Sequence, residues 1–151
     1  MTQIKKRALW SLAIFVPVSL AFLAVFFWGG GPAAYAQDRV RKLLAAGLFL
    51  AGYGSYFLML FRTRTGGGSR GIVTDEREAT ISRHANNAAL IAVLVFVYTL
   101  CISLWIVFEE AGALATGWMQ FVAYATVFFG LLAQASATLI LDSRGITNGQ
   151  G

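Results

Sequence analysis

The chain has 151 residues, of which 58% are hydrophobic and 13% charged, with a formal net charge of +5. A soluble domain carries about a quarter of its residues as Asp, Glu, Lys and Arg, so this composition excludes an ordinary soluble protein. Four runs lack any charged residue or histidine, over 9–28, 43–61, 88–108 and 118–141. Each is close to the roughly 20 residues that cross a bilayer as a helix. We therefore predict an all-α membrane protein, a single domain of four transmembrane helices over about 8–28, 39–61, 75–108 and 117–141.

The first predicted helix follows the basic start MTQIKKR and precedes GPAAYAQD, a pattern that resembles a secretory signal. Ala34 and Ala36 have the spacing of a cleavage site. The apolar run has about 20 residues, however, and signal sequences have roughly 7 to 15. We therefore expect this segment to be retained as a transmembrane helix and not to be cleaved after Ala36.

The loop before the second helix contains three glycines and Pro32, which end the first helix, and then Asp38 as the predicted N-cap. Within the second helix, Gly47, Ala51 and Ser55 recur every four residues. Small residues at this spacing allow helices to approach closely in lipid, where apolar burial gains little. The pattern predicts that this stripe packs against another helix.

Residues 62–74 contain TRTGGGSRG, which predicts a flexible linker. The third helix then begins with a dense group of charges. We call this group, together with the basic residue that ends the fourth helix, the charged collar: Asp75, Glu76, Arg77, Glu78, Arg83, His84 and Arg144. Acids in the first turn are stabilised by the helix dipole. No base stands three or four residues after these acids, so we expect them to pair with bases on other helix ends.

Polar side chains also occur inside the predicted spans. The fourth helix carries Thr126, Gly130, Gln134 and Thr138 on one stripe, and the third carries Tyr98. We predict that Gln134, Tyr98 and Thr138 form intramembrane polar packing contacts. Ion-coupled transport usually needs an ionisable residue within the membrane, and none of the four uncharged runs contains one.

The distribution of Lys and Arg predicts the orientation. Nine of the twelve lie at the N-terminus, in the second loop and in the tail, and Arg39, Arg41 and Lys42 lie in the first loop. Basic residues favour the cytoplasmic side, so we predict two hairpins with both termini cytoplasmic. The tail from 145 to 151 is predicted to be disordered.

The segment TDEREATISRHANNAALIAVLVF, followed by one more helix and LDSRGI, resembles a family of small, uncharacterised bacterial membrane proteins. The hallmark of that family is Asp-Glu-Arg at the start of a transmembrane helix, which corresponds here to Asp75, Glu76 and Arg77. An isoleucine and a basic-Ala pair follow, corresponding to Ile81 and to the segment 83–85. The resemblance covers about 70 residues and implies a four-helix protein of the bacterial inner membrane.

Three functions remain open at this stage. The first is a non-catalytic regulatory, accessory or scaffolding module that acts through the charged collar. The second is a small permease or channel with a pore at an oligomer interface. The third is a membrane enzyme, because SRHANNAA resembles the helix of four-helix membrane glutathione transferases, although Ala88 and Ala89 stand where a glutamate is expected.

We expect no enzymatic activity, no cofactor and no metal. Cys101 and His84 are the only cysteine and histidine, so one chain cannot form a disulfide or supply two histidines to a haem. The expected partners are the bilayer with its anionic headgroups and either another protein or further copies of this chain. Nucleic acid is not expected, since the basic residues follow the membrane topology.

Overall fold

The computed structural model describes residues 3–65 and 76–144, with side chains from 4 to 61 and from 78 to 144. These residues form helices and no strand. The helices are α1 (Gln3–Phe27), α2 (Gly31–Tyr35), α3 (Arg39–Thr65), α4 (Glu76–Phe108) and α5 (Thr116–Ser143). All of them except α2 are long and apolar enough to cross a membrane. The prediction of an all-α chain with four helices able to span a membrane is therefore confirmed, and this is the pattern of a multi-pass membrane protein.

The helix bounds differ from the predicted ones mainly at the ends. α1 begins five residues earlier than expected, and α3 continues to Thr65, four residues into the predicted linker. That part of the linker is therefore helical, because the Arg and Thr residues after the apolar run are compatible with a helix. The rest of the linker (66–74) and the tail (145–151) lie outside the described residues, as does Asp75.

The long helices pack in the spatial order α3, α1, α5, α4. α1 packs against both α3 and α5, whereas the extensive contacts of α4 within the described chain are with α5. Phe49 of α3 reaches across to Tyr124 and Phe128 of α5, with ring centroids 5.4 and 5.9 Å apart. α1, α3 and α5 thus share one core, and α4 lies along the outside of α5.

Aromatic side chains fill this core. Phe15, Phe22 and Phe26 of α1 are almost fully buried. Phe22 lies 4.9 Å from Phe26 and 5.3 Å from Phe128 between ring centroids. Tilted aromatic pairs at such distances contribute about 0.5–1.5 kcal/mol each beyond area burial. Interlocked rings therefore join α1 to α5.

The packing face of α3 differs from the predicted one. Gly47, Ala51 and Ser55 are exposed, and a Cβ built on Gly47 would meet nothing within 4 Å. The face that contacts α1 instead carries Ala45, which is fully buried, and Gly52, whose Cβ would lie 3.3 Å from Val18. The predicted stripe is therefore wrong as a contact within this chain. A small residue is needed only where a neighbouring helix packs closely, and here the side chains of Val18 and Phe15 pack against Gly52.

The short helix α2 closes one end of the core. Three glycines at 29–31 with positive φ reverse the chain after α1, a conformation that glycine adopts without strain. Tyr35 then stacks on Phe26 with ring centroids 3.8 Å apart, and burial raises the pKa of its phenol. At Gly117 of α5, an added Cβ would overlap the carbonyl oxygen of Pro32. α2 therefore packs backbone against backbone at the start of α5.

The junction between α2 and α3 is held by one acid and one base. Asp38 accepts the backbone N–H of Val40 at 2.9 Å, which confirms it as the N-cap of α3. Its other carboxylate oxygen lies 2.9 Å from Nε of Arg41. The Arg41 guanidinium in turn donates to the carbonyls of Trp28 and Gly29, just beyond the end of α1. This pair therefore ties the start of α3 to the end of α1.

Candidate functional site

Two adjoining cavities lie at the end of the molecule where α1 and α4 begin and α3 and α5 finish. We call this the basic end. The larger cavity, about 540 Å³, lies between α1 and α4, and we call it the basic cleft. Its polar lining consists of Arg7, Glu78, Ser82, Arg83, Asn86 and Asn87. The smaller cavity, about 180 Å³, reaches inward to α5 and shares Arg7 and Ser82 with the cleft.

The alternating direction of the helices assembles this site. Arg7 lies in the second turn of α1, and Glu78 lies in the first turn of α4. Both line the same cleft because these two helices begin at the same end of the molecule. α1 and α4 make no extensive contact with each other there, so a space remains between them. Residues distant in sequence therefore meet at one opening.

The charged side chains of the cleft have no ionic partner within the described chain. The ion pair of Asp38 and Arg41 lies at the opposite end of the molecule. Arg7 and Arg83 are exposed and Glu78 is half-buried. Glu78 forms no ion pair with a described base, and the side chains of Arg62, Arg64 and Arg70 lie outside the described ranges, so its pairing with another helix end stays a prediction. Because α4 stands apart from α1, the cleft separates these groups and does not bring them into contact.

The smaller cavity below the cleft is lined by hydroxyl and amide groups. Ser11 of α1 is only 8% exposed. Gln134 and Thr138 of α5 complete the polar lining, and Thr138 donates to the carbonyl of Gln134 at 2.8 Å. Gln134 donates its amide to Oδ1 of Asn86 on α4 at 2.7 Å. A polar column therefore extends from the charged cleft toward the interior.

The remaining predicted collar residues take no observed part in the cleft. Glu76 and Arg77 lie in the first turn of α4, outside the range of described side chains. His84 is exposed and does not line either cavity. Arg144 is exposed at the C-cap of α5, where its backbone N–H bonds the carbonyl of Ile140. Among the described side chains of the collar, Glu78 and Arg83 are thus the two that line the cleft.

Tyr98 lies away from the polar column. Its side chain is 70% exposed on the outer face of α4, so it makes no packing contact of the predicted kind within this chain. The physical reason is that α4 buries only the narrow face that touches α5. The most apolar 18-residue stretch of α4 has no buried residue at all. Most of that helix surface therefore faces the surroundings of the chain.

Local sequence patterns indicate the other cleft residues only weakly. Arg7 was counted for the orientation and was one of several bases that could pair with the acids of α4, but nothing in its local sequence shows that α4 lies opposite. Ser11, Ser82 and Asn86 are common polar residues near the ends of spanning helices. One available indication was the spacing of Ser82 and Asn86, which are one helical turn apart and share a face.

A third cavity at the opposite end has a different character. It has a volume of about 630 Å³ and lies between α4 and α5. Its lining is mainly apolar, including Trp105, Phe108 and Met119, with the carboxylate of Glu109 at its edge. A groove of this composition at the end of two spanning helices is suited to acyl chains. The basic cleft has more lining side chains that can form hydrogen bonds than this apolar cavity has.

No cluster of three or more metal-ligating side chains of His, Cys, Asp or Glu occurs in the described ranges 3–65 and 76–144. No family model, curated protein or solved structure matches the chain. The resemblance to bacterial membrane proteins with an Asp-Glu-Arg sequence therefore stays a prediction.

Proposed function

We propose that this chain is a non-catalytic module of the bacterial inner membrane that binds a partner through the basic end. It would act as a regulatory, accessory or scaffolding protein. The observation that carries the proposal is the basic cleft, where Arg7, Glu78 and Arg83 line one space without an ionic partner in the described chain. Guanidinium, carboxylate and carboxamide groups are suited to recognising charged and hydrogen-bonding surfaces.

The proposed orientation places the basic end in the cytoplasm. The excess of Lys and Arg in the segments that meet there supports this orientation. It also supports two hairpins, α1 with α3 and α4 with α5, each with its turn on the outer side. In this arrangement the cleft faces the anionic cytoplasmic leaflet, where basic groups are attracted by about 1 kcal/mol each.

Purification of the intact chain from membranes in a mild detergent tests the proposed binding role. A stoichiometric protein, a tightly held lipid or a defined homo-oligomer should accompany the wild type and be lost in Arg83→Gln. Arg39→Gln is the matched control, since it removes the same charge from an exposed position at the opposite end of the molecule. A clean monomer with no retained partner and no lipid preference contradicts the proposal.

The polar column supports a second candidate, a small permease or channel. The smaller cavity brings Ser11, Gln134 and Thr138 together beneath the cleft, as a path for a polar solute would require. Flux of small solutes should then be measurable in proteoliposomes and be abolished by Gln134→Leu. Equal flux in liposomes with and without the protein excludes this candidate.

A further inference from the structure

The position of the basic cleft along the helices is the starting point for a more specific assignment. Arg7 stands two residues before the uncharged run of α1, and Arg83 stands five residues before that of α4. At 1.5 Å per residue, the Cα atoms of these two arginines lie about 3 and 8 Å from the apolar segments along the helix axes. This is the depth at which the phosphates of a bilayer lie, so the cleft opens among headgroups.

The chemistry of the cleft matches one such headgroup. One guanidinium stands on each wall, and both are exposed. Two guanidiniums can hold one phosphate through several charge-assisted hydrogen bonds. Glu78 adds an acceptor beside them, which favours a headgroup with a hydroxyl or ammonium donor. The volume of about 540 Å³ lies within the usual range of small-molecule sites.

The face of α4 below the cleft has the character that acyl chains require. Arg83, Asn87, Leu90 and Leu94 follow one another at spacings of three or four residues, so they lie on the same side of the helix. All four are exposed, Leu90 by 59% and Leu94 by 62%. A charged head site therefore continues into an exposed apolar stripe. A soluble anion would make no contact with that apolar stripe, whereas the acyl chains of a lipid would.

From these observations we propose that the basic cleft binds a single phospholipid. Arg7 and Arg83 hold its phosphate, and Glu78 accepts a hydrogen bond from a hydroxyl or ammonium group of the head. Its acyl chains lie along the stripe of Leu90 and Leu94. The inference rests on the proposed binding role of the basic end and names the partner as a lipid.

Native mass spectrometry of the delipidated, intact chain tests the assignment. The probes are phosphatidylglycerol, phosphatidylethanolamine and phosphatidylcholine with identical acyl chains, and glycerol 3-phosphate and inorganic phosphate as soluble anions. We expect one retained phosphatidylglycerol or phosphatidylethanolamine, with weaker binding of phosphatidylcholine, which lacks the donor. The soluble anions should bind at least about 100-fold more weakly, because they lose the apolar contacts.

Four charge variants and one apolar variant locate the site. Arg7→Gln and Arg83→Gln should each weaken lipid binding about tenfold, since each removes a charge-assisted contact. Lys6→Gln and Arg39→Gln remove the same charge outside the cleft, Arg39 at the opposite end of the molecule, and should bind as the wild type does. Leu90→Gln should weaken binding of the lipids and leave that of glycerol 3-phosphate unchanged.

Glu78→Ala tests selection of the headgroup, because it removes the acceptor. Its affinity for phosphatidylglycerol and phosphatidylethanolamine should fall to that for phosphatidylcholine. The lipid assignment is overturned if the cleft variants match their controls, or if inorganic phosphate binds as tightly as the lipids. A protein partner that is retained by the wild type and lost in Arg83→Gln, with no lipid bound, also overturns it. That last result leaves the proposed binding role of the basic end in place. If the wild type retains neither a lipid nor a protein, both the binding role and the lipid assignment are wrong.

Discussion

Asp38 binds Arg41 through one carboxylate oxygen at 2.9 Å while its other oxygen caps the first turn of α3. The same arginine donates to carbonyls at the end of α1, so one acid and one base connect two helices across the α2 turn. Arg41 was one of three bases in the first loop that opposed the predicted orientation. These contacts explain why Arg41 stands on the side of the membrane that carries fewer basic residues in the proposed orientation.

This connection predicts a graded series of stabilities. Asp38→Ala should lower the free energy of unfolding by about 1 kcal/mol, because it removes the N-cap. Asp38→Asn keeps a capping acceptor and loses the ion pair, which is partly exposed, so its cost should be less than about 1 kcal/mol. Unfolding in mixed detergent micelles measures both.

Arg41→Gln completes that series and should destabilise the protein through loss of the donors to Trp28 and Gly29. Arg39→Gln is the matched control. Arg39 is exposed, and its substitution removes the same charge from the same turn of α3. Equal unfolding free energies for the two arginine variants would show that the observed contacts contribute nothing specific.

The contact between α2 and α5 predicts an unusual sensitivity at one glycine. Gly117→Ala would place a methyl group on the carbonyl of Pro32, whose carbon lies 2.7 Å from the new Cβ. Overpacking of this kind typically costs about 1–3 kcal/mol. Thermal unfolding in detergent should show the loss.

Gly47→Ala is the control for that change, since the site is helical and a Cβ there meets nothing within 4 Å. It should be neutral or stabilising by up to about 1 kcal/mol, as alanine favours a helix over glycine. A Gly117→Ala protein as stable as the Gly47→Ala protein would contradict the close packing of α2.

The hydrogen bond between Gln134 and Asn86 predicts a measurable coupling between α4 and α5. Gln134→Leu, Asn86→Leu and the double variant form a thermodynamic cycle. Bonds of this kind in membrane proteins average about 0.6 kcal/mol and reach about 1.7 kcal/mol. The cycle with Asn87→Leu in place of Asn86→Leu should be additive, since Asn87 makes no bond to Gln134 in the described structure. Equal coupling in both cycles would show that the observed pairing is not specific.

The proposed orientation predicts the accessibility of single cysteines. In a Cys101→Ser background, Lys6→Cys and Arg144→Cys should react with a membrane-impermeant maleimide only after the membrane is opened. Ala113→Cys, in the exposed turn between α4 and α5, should react in intact spheroplasts. The reverse pattern would invert the topology and place the basic cleft outside the cell.

The length of the uncharged runs was sufficient to predict the four spanning helices, because the thickness of the bilayer sets the length of a spanning helix. The N-cap at Asp38 was also predictable, since it depends on neighbouring residues alone. The packing faces were not. In lipid both sides of a helix are apolar, so hydrophobic periodicity does not distinguish the side of Gly47 from that of Gly52.

The candidate site was predictable only in part for a related reason. The segment that contains Glu78 and Arg83 was visible as a dense group of charges. The position of this segment across the cleft from Arg7 depends on which helix starts lie together, and no local pattern carries that information. The same holds for Arg41, whose carbonyl acceptors are 12 and 13 residues earlier in the chain.

The central place of α5 bears on biogenesis. It contacts α1, α2 and α4, yet it leaves the ribosome after all of them. Until α5 enters the bilayer, α4 lacks the helix against which it packs. Insertion and assembly are therefore separate events in this protein, and a chain interrupted near residue 115 would reach the membrane with its third spanning segment unattached.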